Sequence, residues 1–209
     1  MNPREGLKAP LPTKLYLLDL SKDLVASWEE AFEGFEDVEV ICGDIFSKSS
    51  DAIVSPANSF GIMDGGIDLI LRNKLGYGTE NRLQDAIVEH FHGELPVGSA
   101  LVVETKTPPW KYLIAAPTMR IPERVAHTLN AYHAFRAVLL AIKAHNASAS
   151  DKNQIHSISC PGLATGIGGM NPRTCAGQMR MAYNALDAKP RIHSFELIHK
   201  THRVLKSIL

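Results

Sequence analysis

One glycine-rich turn restricts the fold of this chain more than any other stretch. It joins the apolar run Ala52-Ile53-Val54 to the helical pattern Ile67-Asp68-Leu69-Ile70-Leu71-Arg72, and it reads Ala57-Asn58-Ser59-Phe60-Gly61-Ile62-Met63-Asp64-Gly65-Gly66-Ile67-Asp68. Its glycines and the polar Asn58 stand where a strand hands over to a helix. Such a junction exposes unpaired backbone N–H groups, and the helix dipole adds partial positive charge. That combination suits an anion, most often a phosphate. A second turn of the same kind, Pro161-Gly162-Leu163-Ala164-Thr165-Gly166-Ile167-Gly168-Gly169, follows the alternating run Ile155–Cys160. It precedes a helix with Pro172 in its first turn, where proline is at home. In open α/β sheets ligands bind beyond the carboxyl ends of the strands, so two such turns on neighbouring strands can grip two linked phosphates from opposite sides. The competing reading is that the glycines only make tight turns.

The rest of the chain alternates strand and helix patterns. Lys14–Leu20 is short and apolar, and Ser21 offers an N-cap for a helix to about Phe35. Val38–Cys42 is a β-branched strand ending at Gly43-Asp44, and Ala52–Val54 is the next. A helix runs to about Leu75, where Gly76-Tyr77-Gly78 stops it, and an amphipathic helix covers Asn81–His92. Ser99–Glu104 and Tyr112–Ala116 read as strands, and Pro122 to about Ala147 carries the longest helical pattern. A helix follows from Pro172 to Leu186; Ser194–Ile198 is expected as a last strand and His202–Leu209 as a helix. Alternation of this kind implies a largely parallel sheet covered on both faces.

Composition narrows the function. With 209 residues, 45% hydrophobic and 21% charged, the chain fits one globular domain. Net charge is zero, so no general attraction for nucleic acid is implied; a modified nucleic acid is kept only as a conceivable substrate. Met1–Leu11 lacks the apolar core of a signal peptide, and no apolar run nears the roughly 20 residues a bilayer helix needs. The expectation is a cytoplasmic protein without a membrane partner. Cys42, Cys160 and Cys175 are widely spaced, which argues against a disulfide framework or a zinc ribbon. The pairs His90/His92 and His199/His202 lack a third ligand nearby, so no metal is expected. Cys160 precedes the late turn, but no sequence feature supplies an activating base.

Two common nucleotide-binding motifs are absent from the glycine turns. A P-loop needs Lys-Ser/Thr after its last glycine, whereas Gly166 is followed by Ile167-Gly168. The dinucleotide fingerprint belongs at the first strand-to-helix turn, and Gly166-Ile167-Gly168-Gly169 is late and wrongly spaced. What fits instead is the order of four pieces: Gly43-Asp44-Ile45 after a strand, Asp51-Ala52-Ile53-Val54-Ser55-Pro56-Ala57-Asn58, Gly65-Gly66-Ile67-Asp68, and the late turn. Together, from about Val38 to Leu186, they resemble the macro domain, the ADP-ribose-binding module.

That resemblance implies a three-layer α/β/α sandwich with a mixed, mainly parallel sheet. It implies a single domain over residues 1–209, with its core at about 14–188 and a C-terminal extension at 189–209. Asp44 then looks like the carboxylate that meets the adenine amino group, with Ile45 lining the base. Gly65, Gly66 and Ile67 would offer N–H groups to the diphosphate. The late turn, through Gly162, Ala164, Thr165, Gly166, Ile167 and Gly168, would close over it. Asn58 resembles the side chain that binds the distal ribose, although Asn also tolerates turn geometry by itself. Asp68 matches the Asp of MacroD-type ADP-ribosylhydrolases, where an acid near C1″ acts on water or on developing charge; an Asp in a first helical turn also satisfies the dipole. Asp64 is a second candidate for that role.

The chain departs from its relatives' pattern in two ways. The late turn has no aromatic residue to stack by the distal ribose, only Met170 after the glycines, and the first turn has no lysine for the lysine-based chemistry on nucleic acid. The expected ligand is ADP-ribose or an ADP-ribosylated substrate, with no cofactor. The expected activity is hydrolytic removal of a group at the distal ribose, from protein or from a small ADP-ribose ester or phosphate. The alternatives are a non-catalytic ADP-ribose/NAD-metabolite binding module and a receptor for a related nucleotide.

Overall fold

The structure is a computed structural model that describes residue 12, residues 14–187 and residues 191–209. Its elements in chain order are β1 Lys14–Asp19, α1 Lys22–Ala31, β2 Val38–Cys42, β3 Ala52–Ser55, α2 Gly66–Leu75 and α3 Tyr77–Phe91. They continue with β4 Leu101–Thr107, β5 Trp110–Ala115, α4 Asn130–Ser148, β6 Ser157–Cys160, α5 Pro172–Asp187 and α6 Phe195–Ser207. One six-stranded sheet runs β2-β1-β6-β3-β5-β4. Every pairing is parallel except β4 with β5, which are antiparallel. This is the largely parallel sheet that the strand–helix alternation implies, with the mixed character that the resemblance implies.

Side-chain alternation along the strands builds the layers. Leu15 and Leu17 of β1, Ala52 and Val54 of β3, and Tyr112 and Ile114 of β5 share one core with Trp28 of α1, Phe135 and Leu139 of α4 and Met179 of α5. Leu18, Ile53, Leu113 and Ala115 point the other way, into a core with Leu71 and Leu75 of α2 and Leu83 and Ile87 of α3. A strand apolar on both faces must be covered on both, and α1, α4 and α5 on one side and α2 and α3 on the other do so. Ser21 caps α1 through its Oγ, which accepts from Leu24 N at 3.4 Å.

Three expectations change. The helix expected from Pro122 begins at Asn130. Residues 122–129 stay irregular because their backbone is committed elsewhere: Val125 N donates to Gly168 O at 2.9 Å, tying the segment to the late glycine turn. The expected strand Ser194–Ile198 is the start of α6: the Ser194 hydroxyl accepts from Leu197 N at 3.3 Å, and Leu205 is buried while the charged side chains face out. The stop at Gly76-Tyr77-Gly78 shrinks to Gly76, whose φ of 85° lies in the region glycine favours, and α3 starts at once. Residue 188, at the expected edge of the core, lies outside the described residues. Among the described residues no helix is long and apolar enough to cross a membrane.

Candidate functional site

A cavity of about 390 Å³ opens beyond the carboxyl ends of β1, β6 and β3. Four segments wall it: the β1–α1 turn, the first glycine turn, residues 118–122 after β5, and the late glycine turn. Of the residues the sequence singles out, Asn58, Gly65, Gly66, Ile67, Asp68, Gly162, Ala164, Thr165, Gly166, Ile167 and Gly168 all line it. So does Asp64.

Both glycine turns present backbone donors. No side chain caps α2 at Gly65, and the first N–H bonded back into this helix is that of Leu69, donating to Gly65 O at 3.2 Å. The N–H groups of Gly66, Ile67 and Asp68 are therefore the unsatisfied donors of a helix N-terminus. The late turn closes on itself: Met170 N donates to Ala164 O at 2.9 Å and Gly169 N to Gly166 O at 3.0 Å. Ala164 holds a φ of 62°, costly for a residue with a Cβ and typical of a turn over-determined by its surroundings. Among the described residues the N–H groups of Thr165, Gly166, Ile167 and Gly168 have no protein acceptor. Two sets of free donors around one cavity make an anion site without a lysine or arginine.

Asp68 sits in the first turn of α2, and the buried Ser55 hydroxyl at the end of β3 donates to its Oδ1 at 2.6 Å. Burial pushes its pKa up to about 6, the Ser55 bond works against that rise, and the negative charges of Asp64 and Glu80 add to it. A carboxylate that exchanges its proton near neutrality is suited to general acid–base work. Asn58 is more constrained than its sequence position suggests. Its Oδ1 accepts from Phe60 N at 3.0 Å and Ile62 N at 3.3 Å, and its Nδ2 donates to Ile62 O at 2.7 Å. The side chain fastens its own turn, and what remains for a ligand is the second Nδ2–H, a donor.

Asp44 and Ile45 do not line the cavity. Asp44 is exposed and its Oδ1 accepts from Phe46 N at 2.7 Å, while Ile45 is buried in the α2/α3-side core. The reason is the sheet order: β1 lies between β2 and β6, so the end of β2 is one strand removed from the late turn. Asp19, at the end of β1, stands in the wall instead. Its Oδ1 accepts from Ser21 N at 2.9 Å and its Oδ2 from Gly162 N at 3.3 Å, which ties the late turn to the start of α1. Gly43 N donates to Asp19 O at 3.0 Å, so Asp44 follows just beyond this end of the cavity. Asp19, Ser21 and Leu24 are the residues that sequence reasoning missed, with Met119 and Pro122 at the other side. The signal for the first group was present: an acidic residue and an N-cap at a strand-to-helix turn.

Behind the first turn, the buried Glu80 of α3 accepts from Met63 N at 2.8 Å with one oxygen and faces Arg72 Nη1 at 3.4 Å with the other. Glu80→Ala would leave the Met63 N–H and the Arg72 guanidinium without their partner, a loss of about 3–5 kcal/mol. Thermal denaturation is expected to show a midpoint lower by about 10 °C for Glu80→Ala. Glu80→Gln, which keeps an acceptor for Met63 but no counter-charge for Arg72, should recover only part of that difference.

Other sequence candidates fall away from this site. Burial pushes the Cys175 thiol up to about 12 and the Cys160 thiol well above its ordinary value, so neither is a thiolate near neutrality. Among the described residues no group of three or more His, Cys, Asp or Glu side chains converges on a metal position.

The macro domain family model matches residues 54–179. An uncharacterized protein of Aquifex aeolicus (strain VF5) is 31% identical over 143 residues, covering 68% of this chain and 78% of that protein. An uncharacterized protein of Aeropyrum pernix is 30% identical over 151 residues, 72% of each chain. Among solved structures, the macrodomain of Mycobacterium tuberculosis DarG superposes with a TM-score of 0.56 at 22% identity, covering 69% of this chain and 88% of that one. The Oceanobacillus iheyensis macrodomain with ADP superposes at 0.55 and 17% identity, covering 80% and 90%.

Proposed function

The chain belongs to the macro domain family, and on that premise we propose that it binds ADP-ribose and hydrolyses the bond between C1″ of the distal ribose and an attached group. Macro domains generally bind ADP-ribose, and the Oceanobacillus relative was solved with ADP. In this reading the diphosphate lies between the free N–H groups of the two glycine turns. The nucleobase points toward Asp19 and Ser21, with Asp44 and Ile45 beyond, and the distal ribose lies by Asn58 and Asp68.

The observation that carries the hydrolase reading is Asp68: a carboxylate bonded to Ser55 at 2.6 Å, with its pKa raised to about 6, in the wall of a cavity otherwise rich in backbone donors. A water oxygen attacks C1″ and gives a proton to Asp68, while the bond from C1″ to the departing group breaks and that group takes up a proton from solvent. The carboxylate also offsets positive charge developing on the sugar. The remaining Nδ2–H of Asn58 donates to a ribose oxygen and orients the ring. No resident cofactor enters this scheme.

A second reading, binding without turnover, is favoured by the late turn. Ile167, 59% exposed, stands in the turn where a ring would stack by the distal ribose, and Met170 is buried. The three cysteines are free thiols, which suits a reducing compartment, and we place the protein in the cytoplasm. Calorimetry with ADP-ribose, AMP, NAD and ATP is the first test. ADP-ribose is expected to bind tightest of the four, and no heat at millimolar ADP-ribose would sink both readings.

A further inference from the structure

The charges around the cavity bear on what the distal ribose carries. The charged side chains that line it are Asp19, Asp64 and Asp68, and no Lys, Arg or His does so among the described residues. The nearby cations are held elsewhere: Arg72 faces the buried Glu80 at 3.4 Å, and Arg120 is paired with Glu94 at 2.8 Å. Arg124 lies against Gly169 of the late turn and is not among the residues lining the cavity. The anion-binding capacity is therefore the backbone N–H groups of the two turns, and the diphosphate uses those. Past them, toward Asn58, the polar side chains in the wall are the carboxylates of Asp64 and Asp68, the amide of Asn58 with one N–H to spare, and the Thr118 hydroxyl, which donates to Pro56 O.

Resting on the ADP-ribose reading above, we infer that this cleft accepts ADP-ribose joined at C1″ to a neutral or cationic group and rejects a phosphate monoester at that carbon, with Asp64 a specificity-determining residue. A C1″ phosphate would add up to two negative charges facing Asp64 and Asp68, with Glu80 behind them, and no cationic side chain lines the cavity among the described residues to receive it. Like charges brought together without a counter-ion oppose binding strongly, more so where water is partly excluded. A neutral acyl or amide linkage, or a guanidinium, meets no such opposition. The negative surroundings of Asp68 fit this, since Asp64 and Glu80 both raise its proton affinity.

The test is calorimetry of the full chain with ADP-ribose and with ADP-ribose bearing a phosphate ester at C1″, repeated with Asp64→Asn. Asp64 is exposed, so its amide replacement is expected to leave the fold intact, which circular dichroism checks. Wild-type protein is expected to bind the phosphate ester at least about tenfold more weakly than ADP-ribose, and Asp64→Asn to narrow the gap to about threefold. Equal or tighter binding of the ester, with ADP-ribose still bound, overturns the inference and leaves the ADP-ribose reading standing. A gap unchanged by Asp64→Asn also overturns it, because shape rather than charge would then do the selecting. If ADP-ribose itself fails to bind, the parent reading falls and this inference falls with it.

Discussion

Asp68→Asn is expected to slow release of a C1″-linked group by about two to three orders of magnitude, the range for a lost general base, with ADP-ribose affinity held within about threefold. The amide oxygen still accepts from Ser55, so the first turn of α2 keeps its geometry while the proton acceptor is gone. The pH dependence carries the same signature. With the Asp68 pKa at about 6, the basic form grows as pH rises, and the wild-type rate is expected to climb through that value and level off. The stability sign runs the other way. The folded protein holds this proton up to about pH 6, whereas an ordinary aspartate releases it at the value of 3.8. The native state therefore binds more protons between those two values, and stability falls as pH rises across that window, by about 3 kcal/mol at most. Asp68→Asn should flatten that slope. Turnover at the wild-type rate in Asp68→Asn would leave this side chain with only its helix-terminus role.

What the sequence discloses about this site follows from what is local in it. Close approach requires glycine at Gly162 and Gly168 and a left-handed φ favours it at Gly66, while Gly65 and Gly166 face open space; all five are visible in the sequence and line the cavity. Asp68 is visible because the first turn of a helix fixes where its side chain stands. The order of strands is not local. Nothing near Asp19 says that β1 lies between β2 and β6, and that insertion puts Asp19 rather than Asp44 into the wall. The family match begins at residue 54, so β1, α1 and β2 lie outside it, yet Asp19, Ser21 and Leu24 complete one end of the cavity. Residues 122–129 mislead for a related reason. Val125 has helical spacing with the apolar residues of α4, but its burial comes from packing at Gly168, a contact between segments far apart in the chain. Ser194–Ile198 misleads because five residues hold too little of either period; the amphipathic arc emerges only over the whole of α6.

Gly168→Ala is expected to lower ADP-ribose affinity at least tenfold and stability by about 1–3 kcal/mol, the usual cost of forcing a methyl into a packed site. A Cβ at this position would press on the carbonyl oxygen of Ala164 and lie 2.9 Å from Val125 Cγ2 and 3.0 Å from the Ala164 carbonyl carbon. Neither neighbour has room to yield. Ala164 O already accepts from Met170 N at 2.9 Å, Ala164 is itself at φ 62°, and Gly168 O accepts from Val125 N at 2.9 Å. Relief must come from displacing the turn, and with it the N–H groups of residues 165–168; each lost bond to a phosphate oxygen removes about 1.5–3 kcal/mol of binding. Gly166 is the internal control. It lines the same cavity, but a Cβ there meets nothing within 4 Å and its φ lies outside the left-handed region. Gly166→Ala should melt within about 2 °C of the wild type. Thermal denaturation and calorimetry on the two variants together separate a turn held by packing from one that only needs to be flexible. If Gly168→Ala melted and bound like Gly166→Ala, packing against Val125 and Ala164 would not be what shapes the late turn.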